Sequence, residues 1–198
     1  MVSLGAYDAI SKFEKALAEY TGAPFAVTVD SCTNALFLAC KFVGVEEVSM
    51  PRLTYFSVPM AIIHAGGRVV WDDRQWQGSY QLLPYPIHDS ARRFHAGMYR
   101  GGFECVSFHS SKILGDTQGG AILHSNPRAQ EWFEEAQFDG RKRGTTAKTW
   151  TPRMIGWHCR MSPDIATRLH QRLAYMPKDN ADLPNDEYAD LSTWDIFK

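Results

Sequence analysis

Residues 105–120 read CVSFHSSKILGDTQGG. Cys105, Val106 and Phe108 form a short apolar run of the kind that makes a buried strand. The run leads through Ser110 and Ser111 to a single Lys112. Gly119 and Gly120 follow, then a second apolar run, Ala121-Ile122-Leu123. A lysine at the tip of a buried strand, fenced by hydroxyls and glycines, has two readings. Taken alone, the stretch favours the plainer one, a hairpin-loop lysine in water, because lysines are seldom buried. The other is a lysine in a partly dry site, where its pKa falls and the amine becomes nucleophilic.

Working outward, strands and helices alternate. Ala6, Ile10, Phe13 and Leu17 recur at helical spacing, and Gly22 is a stop. Phe25 to Val29 reads as a strand, 30–34 as a small polar turn, and Ala35 onward as a helix. Val45 to Met50 and Arg68 to Trp71 are two further strands. Between them Tyr55 to Ala65 reads as a helix broken early by Pro59. Ile87-His88-Asp89 is a short strand, and Ala129 to Phe138 a helix. Ser162 and Pro163 are the expected cap and first residue of a last helix, with Ile165, Leu169 and Leu173 on its apolar face.

This alternation predicts an α/β fold, a mostly parallel sheet with helices on both faces. Ligands in such sheets sit beyond the carboxyl ends of the strands. The polar residues there are Ser31, Thr33, Asn34, Asp89, Ser107 and Lys112. Residues 1–176 are the expected domain. Residues 177–198 turn polar, acidic and proline-bearing, and read as a tail that packs loosely or on a partner.

Composition narrows the function classes. The 198 residues are 44% hydrophobic and 22% charged, enough apolar material for a core and against global disorder. The net charge of −1 gives the chain as a whole no pull on nucleic acid or an acidic membrane. Cys32, Cys105, Cys40 and Cys159 are scattered, without a CxxC pair. They frame neither a disulfide scaffold nor a metal site, and free thiols in a reducing cytoplasm are expected. No signal-peptide pattern opens the chain, and no apolar run is long enough to cross a membrane.

Four stretches, in order, resemble the DegT/DnrJ/EryC1/StrS family of pyridoxal-phosphate sugar aminotransferases. Phe13-Glu14-Lys15 through Tyr20-Thr21-Gly22 is similar to its opening helix. Val29-Asp30-Ser31-Cys32-Thr33-Asn34-Ala35-Leu36 is similar to its phosphate turn. Pro51-Arg52-Leu53-Thr54-Tyr55 resembles the segment that gives an aromatic to the cofactor ring. Ser107-Phe108-His109-Ser110-Ser111-Lys112, with Gly119-Gly120, resembles the Schiff-base lysine motif. Weaker matches are 87–91 and 155–162, so the resemblance covers roughly residues 10 to 175.

The resemblance implies a fold-type I, aspartate aminotransferase-like large domain, with pyridoxal 5′-phosphate as cofactor. It implies Lys112 as the residue that bonds the cofactor and shuttles the proton, and Asp89 as partner of the pyridine nitrogen. Thr33, Asn34 and Ser107 would hold the phosphate and Tyr55 would stack on the ring. Arg92 stands where Gln or His usually lies near the phenolic oxygen. His158 stands where an asparagine usually reaches a neighbouring subunit's phosphate, which implies a homodimer with a shared site. Cys32 replaces the usual glycine of the phosphate turn.

The chain is also short for the family. Between Asp73 and Ile87 further helices and a strand are normally inserted, and here a Trp-rich connection stands instead. From the resemblance, the smaller second domain that normally follows Leu173 is expected to be missing. The expected activity is amination of a nucleotide-linked keto sugar with glutamate as donor. Lysine rather than histidine at position 112 argues against the family's dehydratase branch. The alternative is an inactive binding or interaction module that keeps the cofactor site without turnover. Arg141, Lys142, Arg143 and Lys148 are either a solvated basic loop, the plainer reading, or charge for a diphosphate.

Overall fold

The expected first helix is α1 (Leu4–Thr21), with Ile10, Phe13 and Leu17 buried along one stripe. Phe13 and Leu17 are fully covered, each worth about 1.5–3 kcal/mol against exposure. The computed structural model describes residues 4–144, 149–185 and 188–197. Strand β1 (Phe25–Val29) leads into α2 (Cys32–Val43), which Gly44 ends at φ 72° by donating its N–H to the Cys40 carbonyl. Strand β2 (Glu47–Pro51), helix α3 (Ser57–His64) and strand β3 (Arg68–Asp72) follow. Pro59 sits in the first turn of α3 and does not break it, because an N–H there has no partner within the helix.

Next come β4 (Tyr80–Gln81), β5 (Ile87–Asp89), β6 (Phe103–Ser107) and β7 (Gly120–His124). Helix α4 (Pro127–Ala136) is capped by the Asn126 side chain, which accepts from the Arg128 and Ala129 N–H groups. Helix α5 (Pro163–Leu173) starts at Ser162 as expected, but that hydroxyl donates to Asp164 and caps no backbone N–H.

The sheet is mixed, where a mostly parallel one was expected. Its five strands run in the order β1-β7-β6-β5-β4, and β2 and β3 form a separate parallel pair. Only β5–β6 is parallel in the larger sheet; β1–β7, β6–β7 and β4–β5 are antiparallel. The reason lies in the connections. No helix crosses between β6 and β7, so the chain returns alongside itself. The short connection 73–86 likewise folds β4 back as a hairpin on β5. Its Leu83 exchanges two backbone bonds with Ser49, of 2.9 and 3.0 Å, and so joins the two sheets.

Alternate residues of the central strands face opposite cores. Cys105 and Ile122 pack with Leu36, Leu38, Ile62 and Phe133, beneath α2, α3 and α4. Val106, Ala121 and Leu123 pack with Phe13, Leu17, Leu169 and Leu173, beneath α1 and α5. Buried Glu14 ties α1 to β1: it accepts from the Thr28 N–H and hydroxyl, both at 2.9 Å, and from Arg143 at 2.8 Å. Arg143 is therefore no solvated loop charge. Arg141 is stacked between Phe138 and Trp150, 4.1 and 4.3 Å from the ring centres. Lys148 lies outside the described residues.

The carboxyl-terminal segment does not pack loosely. Asp182 pairs with Arg93 at 2.6 Å, Asn185 donates to the Trp76 carbonyl at 2.6 Å, and Leu191 is buried with its N–H on the Arg52 carbonyl at 3.0 Å. Asp190 pairs with Arg52. Two of the acidic residues of this segment, Asp182 and Asp190, find their countercharges on the body of the same chain.

Candidate active site

The start of α2 forms one end of the site. Ser31, extended at φ −160°, caps the helix by accepting the Asn34 N–H at 3.1 Å. The opening N–H groups of α2, ahead of Asn34, and the helix dipole favour an anion. Thr33 Oγ1 lies 2.7 Å from Ser57 Oγ, so the starts of α2 and α3 meet at a pair of hydroxyls. Strand β7 passes close beneath: a Cβ on Gly120 would lie 2.5 Å from the Cys32 nitrogen and 2.7 Å from the Ser31 oxygen. Glycine is required at that crossing.

The other end is the carboxyl edge of β5 and β6. Asp89 closes β5 and is buried. Its Oδ1 accepts the Ala91 N–H and its Oδ2 the Tyr80 hydroxyl, both at 3.0 Å. Burial pushes the Asp89 carboxyl up; the Ala91 and Tyr80 donors and the charges of Lys112 and Arg92 oppose that. Lys112 is half-buried, and its backbone N–H is fixed on the His109 carbonyl at 2.8 Å.

Six predicted residues, Thr33, Tyr55, Asp89, Arg92, Ser107 and Lys112, line one cavity of about 340 Å³. That is within the range of small-molecule sites, roughly 300–1,000 Å³. An amine, a buried carboxylate, and an anion cradle of N–H and hydroxyl groups thus share one space. The set can bond a carbonyl, hold a cationic ring nitrogen and seat a phosphate.

Two predicted residues stand elsewhere. Asn34 turns its amide to Asp30 at 2.7 Å, holding the turn, and is not part of the cavity wall. His158 is exposed and pairs with Asp139 at 3.0 Å, also off the wall. Arg92 is on the wall but held by the carboxyl-terminal segment. Its Nε donates to the Tyr188 hydroxyl at 2.7 Å, another nitrogen donates to the Pro184 carbonyl, and its guanidinium carbon lies 4.7 Å from the Tyr188 ring centre.

Sequence reasoning missed Ser57, Trp76, Tyr80 and Tyr188. Trp76 and Tyr188 stack at 6.0 Å and both line the cavity. The Trp-rich connection was a signal for Trp76. Nothing in the sequence marks Tyr188, which reaches the wall only through long-range packing.

A model of the DegT/DnrJ/EryC1/StrS aminotransferase family matches residues 3–89 and 93–182. The chain belongs to this family. It is 45% identical over 67 residues, 32% of this chain and 17% of the relative, to the spore coat polysaccharide biosynthesis protein SpsC of Bacillus subtilis (strain 168). Its fold is similar to that of DesV from S. venezuelae, solved in complex with a ketimine intermediate. The TM-score is 0.70 at 20% identity, over 85% of this chain and 57% of DesV. It is similar also to a family aminotransferase from Brucella abortus, with a TM-score of 0.73 at 19% identity, over 85% of this chain and 58% of the other. The chain thus spans less than two thirds of the length of these structures. Among the described residues no helix is long and apolar enough to cross a membrane.

Proposed function

We propose that this chain binds pyridoxal 5′-phosphate through Lys112 and carries a transamination in which glutamate gives its amine to a nucleotide-linked keto sugar. The observation that carries the reading is that Lys112, Asp89 and the hydroxyl-lined start of α2 face one cavity. The donor set suits the cofactor at each end. The free N–H groups of α2 with Thr33, Ser57 and Ser107 would hold its phosphate, Asp89 its ring nitrogen, and Tyr55 a ring face. Family membership supports the same reading.

When bound, the cofactor supplies an aldehyde and an electron sink. The residues do the rest. Lys112 Nζ would hold the group by its carbonyl carbon, with loss of water, and, once displaced by the donor's amine, would be the base placed to move the proton from the donor's α-carbon. Asp89 would face the ring nitrogen and hold a proton there. Trp76 and Tyr188, stacked on the cavity wall, would offer an apolar face to the bound molecule.

His158 stands off its own chain's cavity, which supports a role toward a second copy, and so a homodimer with shared sites. Four free, buried cysteines suit a reducing cytoplasm. One observation favours a second reading, a module that keeps the cofactor without turnover: Tyr188 and Pro184 tie up Arg92 on the cavity wall.

Adding glutamate to the cofactor-loaded protein separates the two. Bleaching of the long-wavelength absorption band is expected. A band unchanged by any amino donor contradicts transamination and leaves the module.

A further inference from the structure

Asp89 is served by a directed chain of hydroxyls that the proposed reaction does not by itself require. Tyr80 Oη donates to Asp89 Oδ2 at 3.0 Å and lies 2.7 Å from Thr54 Oγ1. The tyrosine's only proton is committed to the carboxylate, so Thr54 must be the donor in the second bond. Thr54, Tyr80 and Asp89 are 2%, 6% and 5% exposed, so water does not substitute for either bond. Three segments supply the chain: Thr54 follows β2, Tyr80 opens β4, and Asp89 closes β5 directly opposite Tyr80 in the antiparallel register. The donor therefore comes from the short connection between β3 and β5.

We infer that Tyr80 is a positioning residue: its hydroxyl, oriented by Thr54, fixes and stabilises the Asp89 carboxylate that the cavity presents to a cationic group. The aim of the carboxylate has a use only under the pyridoxal phosphate reading, on which this inference rests. The hold of Tyr80 on Asp89 exists without cofactor and is measurable there.

The other groups facing Asp89 leave this task to Tyr80. Lys112 and Arg92 contribute charge, while the Cys32 and Cys105 thiols are kept protonated, chiefly by burial, and contribute none. Tyr80 is itself held protonated, by burial first and by Asp89 next, so it remains a donor across the working range of pH. Backbone geometry provides the Ala91 N–H. Tyr80 is then the neutral side-chain donor on the carboxylate.

The test is the titration of the Asp89 carboxyl carbon by NMR in cofactor-free protein, assigned with Asp89→Asn. Tyr80→Phe keeps the ring on Trp76, at 4.7 Å, and removes the hydroxyl. Its Asp89 titration should move up by about one pH unit, the size of one hydrogen bond to a charged group. The acid limb of pyridoxal phosphate affinity against pH should move up with it. Thr54→Val should shift both the same way by less, and stands in if Tyr80→Phe does not fold. An Asp89 titration unchanged in a folded variant overturns the inference. Wild-type protein that binds no pyridoxal phosphate overturns the functional reading instead, and the carboxyl titration then decides the Tyr80 contact on its own.

Discussion

A Cβ on Gly120 would lie 2.5 Å from the Cys32 nitrogen and the Ser31 carbonyl carbon. Both are backbone, so no rotamer change relieves the clash. Gly120→Ala must instead push the start of α2 off β7, shifting Thr33 from its place beside Ser57. A loss of about 1–3 kcal/mol in a denaturant melt is expected, with weaker pyridoxal phosphate binding. Unchanged stability and affinity would show that the crossing is looser than described. Other residues differ in how far the sequence reveals them. Lys112, Asp89 and Thr33 are picked out by the resemblance and line one cavity; read alone, the Lys112 stretch favours a plain loop and polar groups at helix starts favour caps. Asn34 misleads because its side chain serves the turn through Asp30. Arg92 lines the cavity with the others, but the partners that hold it there, Tyr188 and Pro184, lie far along the chain and could not be read locally.

At the scale of elements, helices and strands are legible from periodicity and caps, and their pairing is not. The apolar runs at β6 and β7 mark two buried strands, but antiparallel pairing follows from the loop between them, which contains no crossover helix. The connection 73–86 is the clearest case. Its polar, aromatic and proline-rich sequence shows no strand period, yet it forms β4. Two pairings fix it: Tyr80 against Asp89, and Leu83 against Ser49. That hairpin brings Trp76 and Tyr80 to the site, so a segment that looks like a mere shortening supplies part of the wall.

Over the whole molecule, residues 177–185 and 188–197 act as a strap across the body. Composition points to a loose tail; ion pairs with Arg52 and Arg93, and the burial of Leu191, decide otherwise. Leu191→Ala removes the main apolar anchor, and a buried leucine is worth about 2–5 kcal/mol against alanine. Hydrogen exchange in this segment should rise roughly tenfold or more while β6 and β7 stay protected. Equal protection in variant and wild type would mean that the ion pairs alone hold the strap. Tyr188 of the strap lines the same cavity as Lys112, so the account turns on what that lysine does. The most direct measurement is to load the protein with pyridoxal phosphate, reduce it with borohydride, digest it and map the label by mass spectrometry. The account predicts one phosphopyridoxyl group on the Lys112 peptide, absent from Lys112→Ala. Label spread over surface lysines, or equal labelling of Lys112→Ala, would contradict it.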